Sequence, residues 1–303
     1  MLIANPIYDT VFKFLLEDLH VAKRLISIII GEEVIELEVK PQEHTTNSDK
    51  YLLTIFRVDF KAVIRTSNGS EKKVLIELQK SKNGFDVMRF RHYLGVNYSN
   101  PDEVSGKKAI LPILPIYFLG FPLSIQRPVL KVGRQYQDLS SGEFISQKDD
   151  FIEQLSHDCF VVQIPSLTEK AQTKIERILS IFNQKWLFDK EKKWLLQYDG
   201  TTEDEDVQLL LKRLSLAIET PNVKEQIRVE ETFDESMDRA LREKEELLAQ
   251  KEVELEQKDI ALEQKDIELE QKDIKLEQQE VELEQTKNEL EALRKQLEAL
   301  KNK

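Results

Sequence analysis

The alternation of apolar and polar positions is sharpest in two neighbouring stretches, residues 55–64 and 72–79. The first reads Ile-Phe-Arg-Val-Asp-Phe-Lys-Ala-Val-Ile and the second Lys-Lys-Val-Leu-Ile-Glu-Leu-Gln. Side chains alternate along a strand. Phe56, Val58, Phe60, Ala62 and Ile64 therefore share one face, with Arg57, Asp59 and Lys61 on the other. Val74, Ile76 and Leu78 likewise share a face opposite to Glu77 and Gln79. The intervening segment contains Asn68-Gly69, a pair that tolerates positive φ at both turn positions and predicts a hairpin. A hairpin that buries both apolar faces sets Asp59, Glu77 and Gln79 on one polar surface. Two carboxylates about 5 Å apart repel by roughly 3 kcal/mol at an effective dielectric of about 20, so positive charge is expected between them. A hard divalent cation fits this description, and so does Arg57 or Lys61.

The same pattern predicts the remaining elements. Pro6 can open a helix over 6–17, because its missing N–H would be unpaired there in any case. This helix puts Asp9 and Lys13 on one face and Val11, Phe12 and Leu15 toward a core. A second helix over 20–30 is very apolar at its end and stops at Gly31. Residues 34–39 alternate as a first strand, and 45–50 form a polar loop. After the hairpin, a helix over 85–99 sends Val87, Phe90, Leu94 and Tyr98 inward and groups Arg89, Tyr93 and Asn97 on another face. Residues 101–108 read as a loop and 109–119 as a strand covered on both sides, because it is continuously apolar. Residues 126–165 read as short strands around Ser140-Ser141-Gly142, and 166–186 and 203–218 as helices. Trp186, Trp194 and Tyr198 are packing residues. His20, His44, His92 and His157 lack metal-ligand spacing, and no Gly-rich phosphate loop or nucleophile elbow is present.

An Asp on one strand followed by Glu-x-Gln on the next, Asp59 and then Glu77-Leu78-Gln79, resembles the PD-(D/E)xK nucleases. It resembles the branch of PD-(D/E)xK family transposases and recombination-promoting nucleases, in which the motif Lys is commonly a Gln. Asn5-Pro6-Ile7-Tyr8-Asp9-Thr10-Val11-Phe12-Lys13 looks like that branch's N-terminal Asp-x-x-Phe-Lys segment. Ile76-Glu77-Leu78-Gln79-Lys80 followed by Arg89, Arg91 and Tyr93 is similar to it as well. The likeness covers residues 1–125 well and 126–230 loosely. It implies an α/β, restriction-endonuclease-like three-layer core, with a mixed central sheet flanked by helices. It also implies a metal-dependent DNA endonuclease associated with recombination, mobile elements or defence. Asp59 and Glu77, with the main-chain carbonyl of Leu78, are then expected to hold Mg²⁺ or Mn²⁺. Gln79 orients the attacking water, and Asp9 is a further acidic group unless it only pairs with Lys13. Lys80, Lys82, Arg89 and Arg91 form a basic cluster suited to phosphate contact, or else an ordinary solvated helix face. Lys80 itself is expected to point to the other side of its strand. The alternative is a weakly active or inactive nuclease-fold protein that binds or oligomerises through its C-terminal helix.

Composition changes this picture mainly in the tail. The 303 residues carry a net charge of −12 and a single cysteine, Cys159, which allows no intrachain disulfide and suits a reducing cytoplasm. No segment has the signature of a signal peptide or a membrane span, and a soluble protein is expected. Residues 231–303 hold 23 acidic and 13 basic side chains, leaving 33 acidic and 31 basic in the preceding 230. The acidity thus belongs to the tail, and the remainder is close enough to neutral to carry a local basic patch for DNA. The division predicts a nuclease-like domain over 1–230 and a charged helix over 231–303. From Met237 onward there is neither Pro nor Gly, and Glu-Gln-Lys-Asp-Ile-x-Leu recurs at Glu256–Leu262, Glu263–Leu269 and Glu270–Leu276. Leucines recur every seven residues from Leu241 to Leu297. Ile and Leu fall on nearly opposite sides of such a helix. With Leu at position a of a heptad, Lys244, Lys251, Lys258, Lys265 and Lys272 fill d. Only Leu290, Leu293, Leu297 and Leu300 have the spacing of an apolar seam. Self-association is expected to be weak in the middle of the helix and better at its end.

Overall fold

The computed structural model describes residues 1–39, 56–66, 69–81, 87–99, 102–104, 107–189, 192–200 and 202–301. Side chains are described for these except 56–58, 77–79, 81, 87–89, 93, 102–104, 107, 109, 237, 238, 241 and 296–301. The expected polar loop over 45–50 lies outside the described residues. The chain divides into two compact units, Met1–Thr232 and Phe233–Lys303.

The first unit is α/β. Strand β1 (Leu2–Ala4) leads into α1 (Asp9–Glu17), α2 (Leu19–Ile30), β2 (Glu33–Val39), β3 (Phe56–Arg65) and β4 (Glu71–Ser81). Helix α3 (Val87–Ser99), the short strands β5 (Asp102–Val104) and β6 (Lys107–Ala109), and β7 (Ile113–Leu119) follow. Then come β8 (Val129–Val132), β9 (Tyr136–Gln137), β10 (Phe144–Ile145), α4 (Asp150–Leu155) and β11 (Cys159–Gln163). Helix α5 (Lys174–Leu179), β12 (Leu195–Gln197) and α6 (Glu205–Glu219) complete it, before α7 (Pro221–Lys301) begins.

Six strands form one mixed sheet in the order β2-β3-β4-β7-β11-β8. The β2, β3 and β4 neighbours are antiparallel, β4, β7 and β11 run parallel, and β8 returns antiparallel to β11. The β3–β4 connection is a tight turn in which Gly69, at φ 82°, donates its N–H to Thr66 O at 2.9 Å. Here glycine supplies the positive φ that the hairpin needs. One sheet face carries Phe60, Ala62, Ile64, Val74, Ile76, Ile116, Phe118, Phe160 and Val162 into the main core with α1, α2 and α6. Phe12 of α1 packs edge-on against Phe118 with ring centroids 5.0 Å apart. On the other face Leu75 and Ile113 meet Leu94 of α3, and Phe90 of α3 lies 5.0 Å from the Tyr117 ring.

Several expectations are corrected. Pro6 does not open α1, which starts at Asp9; residues 6 and 7 form a turn. The strand pair β1–β12 precedes the strand expected to be first and joins the start of the chain to Leu195–Gln197. The loop expected over 101–108 contains the antiparallel pair β5–β6. Helix over 166–186 shrinks to α5, whose N-terminus is fixed by a capping box between Thr173 and Glu176. Tyr98 is exposed rather than core, and its hydroxyl lies 2.6 Å from His157 Nδ1. By contrast, α2 ends at Gly31 (φ 73°), whose N–H returns to Ser27 O as its pattern predicts.

Helix α7 begins well before the tail. Pro221 occupies its first position, where the missing N–H costs nothing. Val223 and Ile227 of its first turns are buried in the main core. Beyond Phe233 the described apolar side chains are exposed, and Lys258 is paired with Glu254 of its own helix at 2.6 Å. Among the described residues, no helix is long and apolar enough to cross a membrane.

Two predictions follow from this packing. Ile227→Ala should lower unfolding free energy by about 2–4 kcal/mol, as for other large-to-small core changes, whereas Ile260→Ala should stay within about 0.5 kcal/mol; urea titration of both variants decides. Burial, reinforced by the Arg134 charge, holds the His157 imidazolium below its ordinary 6.5. The unfolded chain then takes up the proton first. The His157 contribution is complete above pH 6.5 and is lost as pH falls below it. Part of the drop in urea midpoint between about pH 7 and about pH 5 should therefore disappear in His157→Gln.

Candidate active site

The hairpin register builds the candidate site. Asp59 stands directly across from Glu77, Arg57 across from Gln79, and Val58 across from Leu78. Directly opposed residues of an antiparallel pair have Cβ atoms about 5 Å apart on the same face. Asp59, Glu77 and Gln79 are therefore neighbours by register on the face that α3 partly covers. Asp59 is only 4% exposed. The side chains of Glu77, Leu78 and Gln79 lie outside the described residues, as do Lys82 and the side chains of Arg89 and Tyr93. Leu78 is paired with β3 on one side and with Ile116 of β7 on the other. Its carbonyl therefore belongs to the ladder, and a metal contact there would have to use the remaining lone pair. Arg91 is exposed on α3.

Asp9 and Lys80 sit elsewhere. Lys80 alternates with Gln79 and so faces the main core, as its strand position predicts. It is 2% exposed, and its Nζ forms an ion pair with Asp9 Oδ1 at 2.6 Å. It also donates to the Ile7 carbonyl and stands 5.7 Å above the Phe12 ring. Lys80 is thus corrected as a phosphate contact, because its ammonium is enclosed under α1 and already neutralised. Asp9 is corrected in the same way. It packs across the sheet from Asp59, and its partner is Lys80 rather than Lys13.

Two carboxylates missing from the sequence reading complete this second cluster. Glu230, 8% exposed, accepts from Asp9 N at 2.7 Å and Thr10 N at 3.0 Å, while Glu231 accepts from the Tyr8 hydroxyl at 3.0 Å. α1 has no capping side chain of its own. Glu230 satisfies its first N–H groups from 221 residues away, and its charge suits the positive end of the helix dipole. Nothing local signals this contact, because a helix cap delivered by a distant element leaves no short-range motif. A third polar cluster clamps α4: Arg134 reaches Glu153 and Asp158 at 2.9 Å each, and Tyr136 donates to Glu153 at 2.7 Å. Burial acts to raise the Asp158 carboxyl, but the bonds from Arg134 outweigh it and hold the group below its ordinary range.

Among the described residues, no group of three His, Cys, Asp or Glu side chains is gathered closely enough to hold a metal ion. The donor chemistry of Asp59, Glu77 and the Leu78 carbonyl is nonetheless all hard oxygen, the set that magnesium and manganese take. No known family model, curated protein or solved structure matches this chain.

The buried ion pair gives a direct test. Removing one partner strands a buried charge, which typically costs about 3–5 kcal/mol. Asp9→Asn and Lys80→Met should each destabilise strongly, and the double variant should lose less than the sum of the two. Additive losses in the double-mutant cycle would show that the two groups do not interact.

Proposed function

We propose that this chain is a metal-dependent DNA endonuclease centred on Asp59 and Glu77. The observation that carries the reading is the register that opposes these two acidic residues on adjacent central strands, with Asp59 buried. A buried acidic residue opposed by a second one needs positive charge nearby, and a divalent cation can supply it, as can Arg57 or Lys61 on the same strand. Asp59 and Glu77 would hold the cation and fix its position relative to a phosphodiester. The cation would stabilise charge on the scissile phosphate and lower the pKa of a water. Gln79, across from Arg57, would orient the attacking water through its amide. Because Gln carries no charge, it contributes orientation without electrostatic stabilisation, and a low turnover is expected. Arg91 would contact the phosphate backbone without reading sequence.

The second reading is a binding protein on the same scaffold. It is favoured by the long helix beyond Phe233, whose leucine and isoleucine rows are more than half exposed. Nicking of supercoiled plasmid with and without Mg²⁺ or Mn²⁺ separates the two. The nuclease reading expects cleavage that needs metal and drops by about a hundredfold or more in Asp59→Ala and in Glu77→Ala. Full activity in either variant removes that residue from the mechanism. Absence of cleavage together with absence of metal binding by calorimetry gives the binding protein.

A further inference from the structure

The helix beyond Phe233 has four rows, and their order around the axis is informative. Leu248, Leu255, Leu262, Leu269, Leu276, Leu283 and Leu290 form one row, each more than half exposed. Val253, Ile260, Ile267, Ile274 and Val281 form another, also more than half exposed. Successive helical residues are about 100° apart. The second row therefore lies about 150° from the first. Lys244, Lys251, Lys258, Lys265 and Lys272 each follow a leucine by three residues and lie about 60° to one side of the leucine row. Glu245, Glu252, Asp259, Asp266, Asp273 and Glu280 each follow a leucine by four and lie about 40° to the other side. The leucine row is thus bordered by lysine on one flank and by carboxylate on the other.

That arrangement has a handed consequence. If two copies meet leucine row to leucine row and run parallel, a two-fold axis along the pair turns one copy's lysine flank to the other's acidic flank, on both sides of the seam. If they run antiparallel, acid meets acid on one side and lysine meets lysine on the other. The isoleucine row has no such borders, since glutamates and glutamines flank it. We propose that α7 docks with α7 of a second copy of this chain, parallel and in register, through the leucine row.

A further observation agrees. The heptad letters decay after Leu276: Glu-Gln-Gln-Glu-Val-Glu-Leu, then Glu-Gln-Thr-Lys-Asn-Glu-Leu, then Glu-Ala-Leu-Arg-Lys-Gln-Leu. The leucine is retained through each change. An unpartnered helix has no use for this, because a strict seven-residue row drifts by about 20° per heptad around a straight helix. Two helices wound left-handedly around each other keep such a row in contact throughout. The lysines at the intervening seam positions lay their methylene stems along the leucines while the ammonium groups reach the opposite acids. Lys258 then exchanges its own-helix partner Glu254 for Asp259 of the second copy.

Disulfide trapping in the full chain tests orientation as well as association. With Cys159→Ser in the background, Leu248→Cys alone and Leu290→Cys alone should each give covalent dimers on mild oxidation. Cross-linking only when the two chains are mixed means antiparallel pairing and overturns the proposal. Sedimentation of the unmodified chain as a monomer at high concentration also overturns it. Charge exchange supplies an independent arm. K251E/K258E/K265E/K272E should weaken self-association by about tenfold or more and should pair again when mixed with E252K/D259K/D266K/D273K. A dimer unmoved by either set of changes places the contact elsewhere. None of these outcomes depends on whether the first unit cleaves DNA.

Discussion

The arrangement of the first unit depends on the register of β4. This strand is hydrogen-bonded to β3 on one side and to β7 on the other, so its alignment is fixed twice. A slip of one residue would exchange its faces. Glu77 and Gln79 would turn into the apolar core, and Lys80 would leave Asp9 for the other side. The hydrophobic cost of turning Val74 and Ile76 outward, on the order of 1.5–3 kcal/mol each, forbids this. The apolar residues that fill the core are therefore also what holds the acidic residues opposite one another.

Two polar groupings lie on opposite sides of that sheet and meet different requirements. Asp59 and Glu77 are acidic residues opposed by the register of β3 and β4. Asp9, Lys80, Glu230 and Glu231 form a mixed cluster that closes on itself through the N-terminus of α1 and the Tyr8 hydroxyl. The first is the pair on which the proposed metal chemistry rests, whereas the second attaches the start of α7 to α1. The residues that link them are adjacent in sequence, Gln79 and Lys80, and are separated only by strand alternation.

How much of this was legible in the sequence follows the range of each interaction. The hairpin, the stop at Gly31 and the helix over 203–218 are encoded by residues close together in the chain, and each forms where its pattern places it. Failures came where distant partners decide. β1 has three residues and no amphipathic pattern of its own; it is a strand because Leu195–Gln197 lies beside it. Pro6 carried a helix-start signal, but the N–H groups that needed satisfying were those of Asp9 and Thr10, and the Glu230 carboxylate that supplies them is remote. Lys80 was legible as pointing away from the motif face, yet its grouping with Arg91 followed chain proximity, which says nothing about sides of a sheet. In α7 the proline-free tail was plain, while its first turns were hidden because Val223 and Ile227 alone do not make a long amphipathic run.

The capping of α1 by Glu230 also orders events in time. A chain emerging from the ribosome presents α1 and α2 early, but the carboxylate that completes α1 is 221 residues behind Asp9. The strand that pairs with β1 is nearly as late. Until both emerge, the start of α1 keeps unsatisfied N–H groups and the apolar side of the sheet lacks part of its cover. Closing so long a loop is slow relative to local contacts, although its entropic cost grows only with the logarithm of its length. The globular unit therefore reaches its final form after synthesis has passed the base of α7, and the nascent chain up to that point is the species most exposed to aggregation and proteolysis.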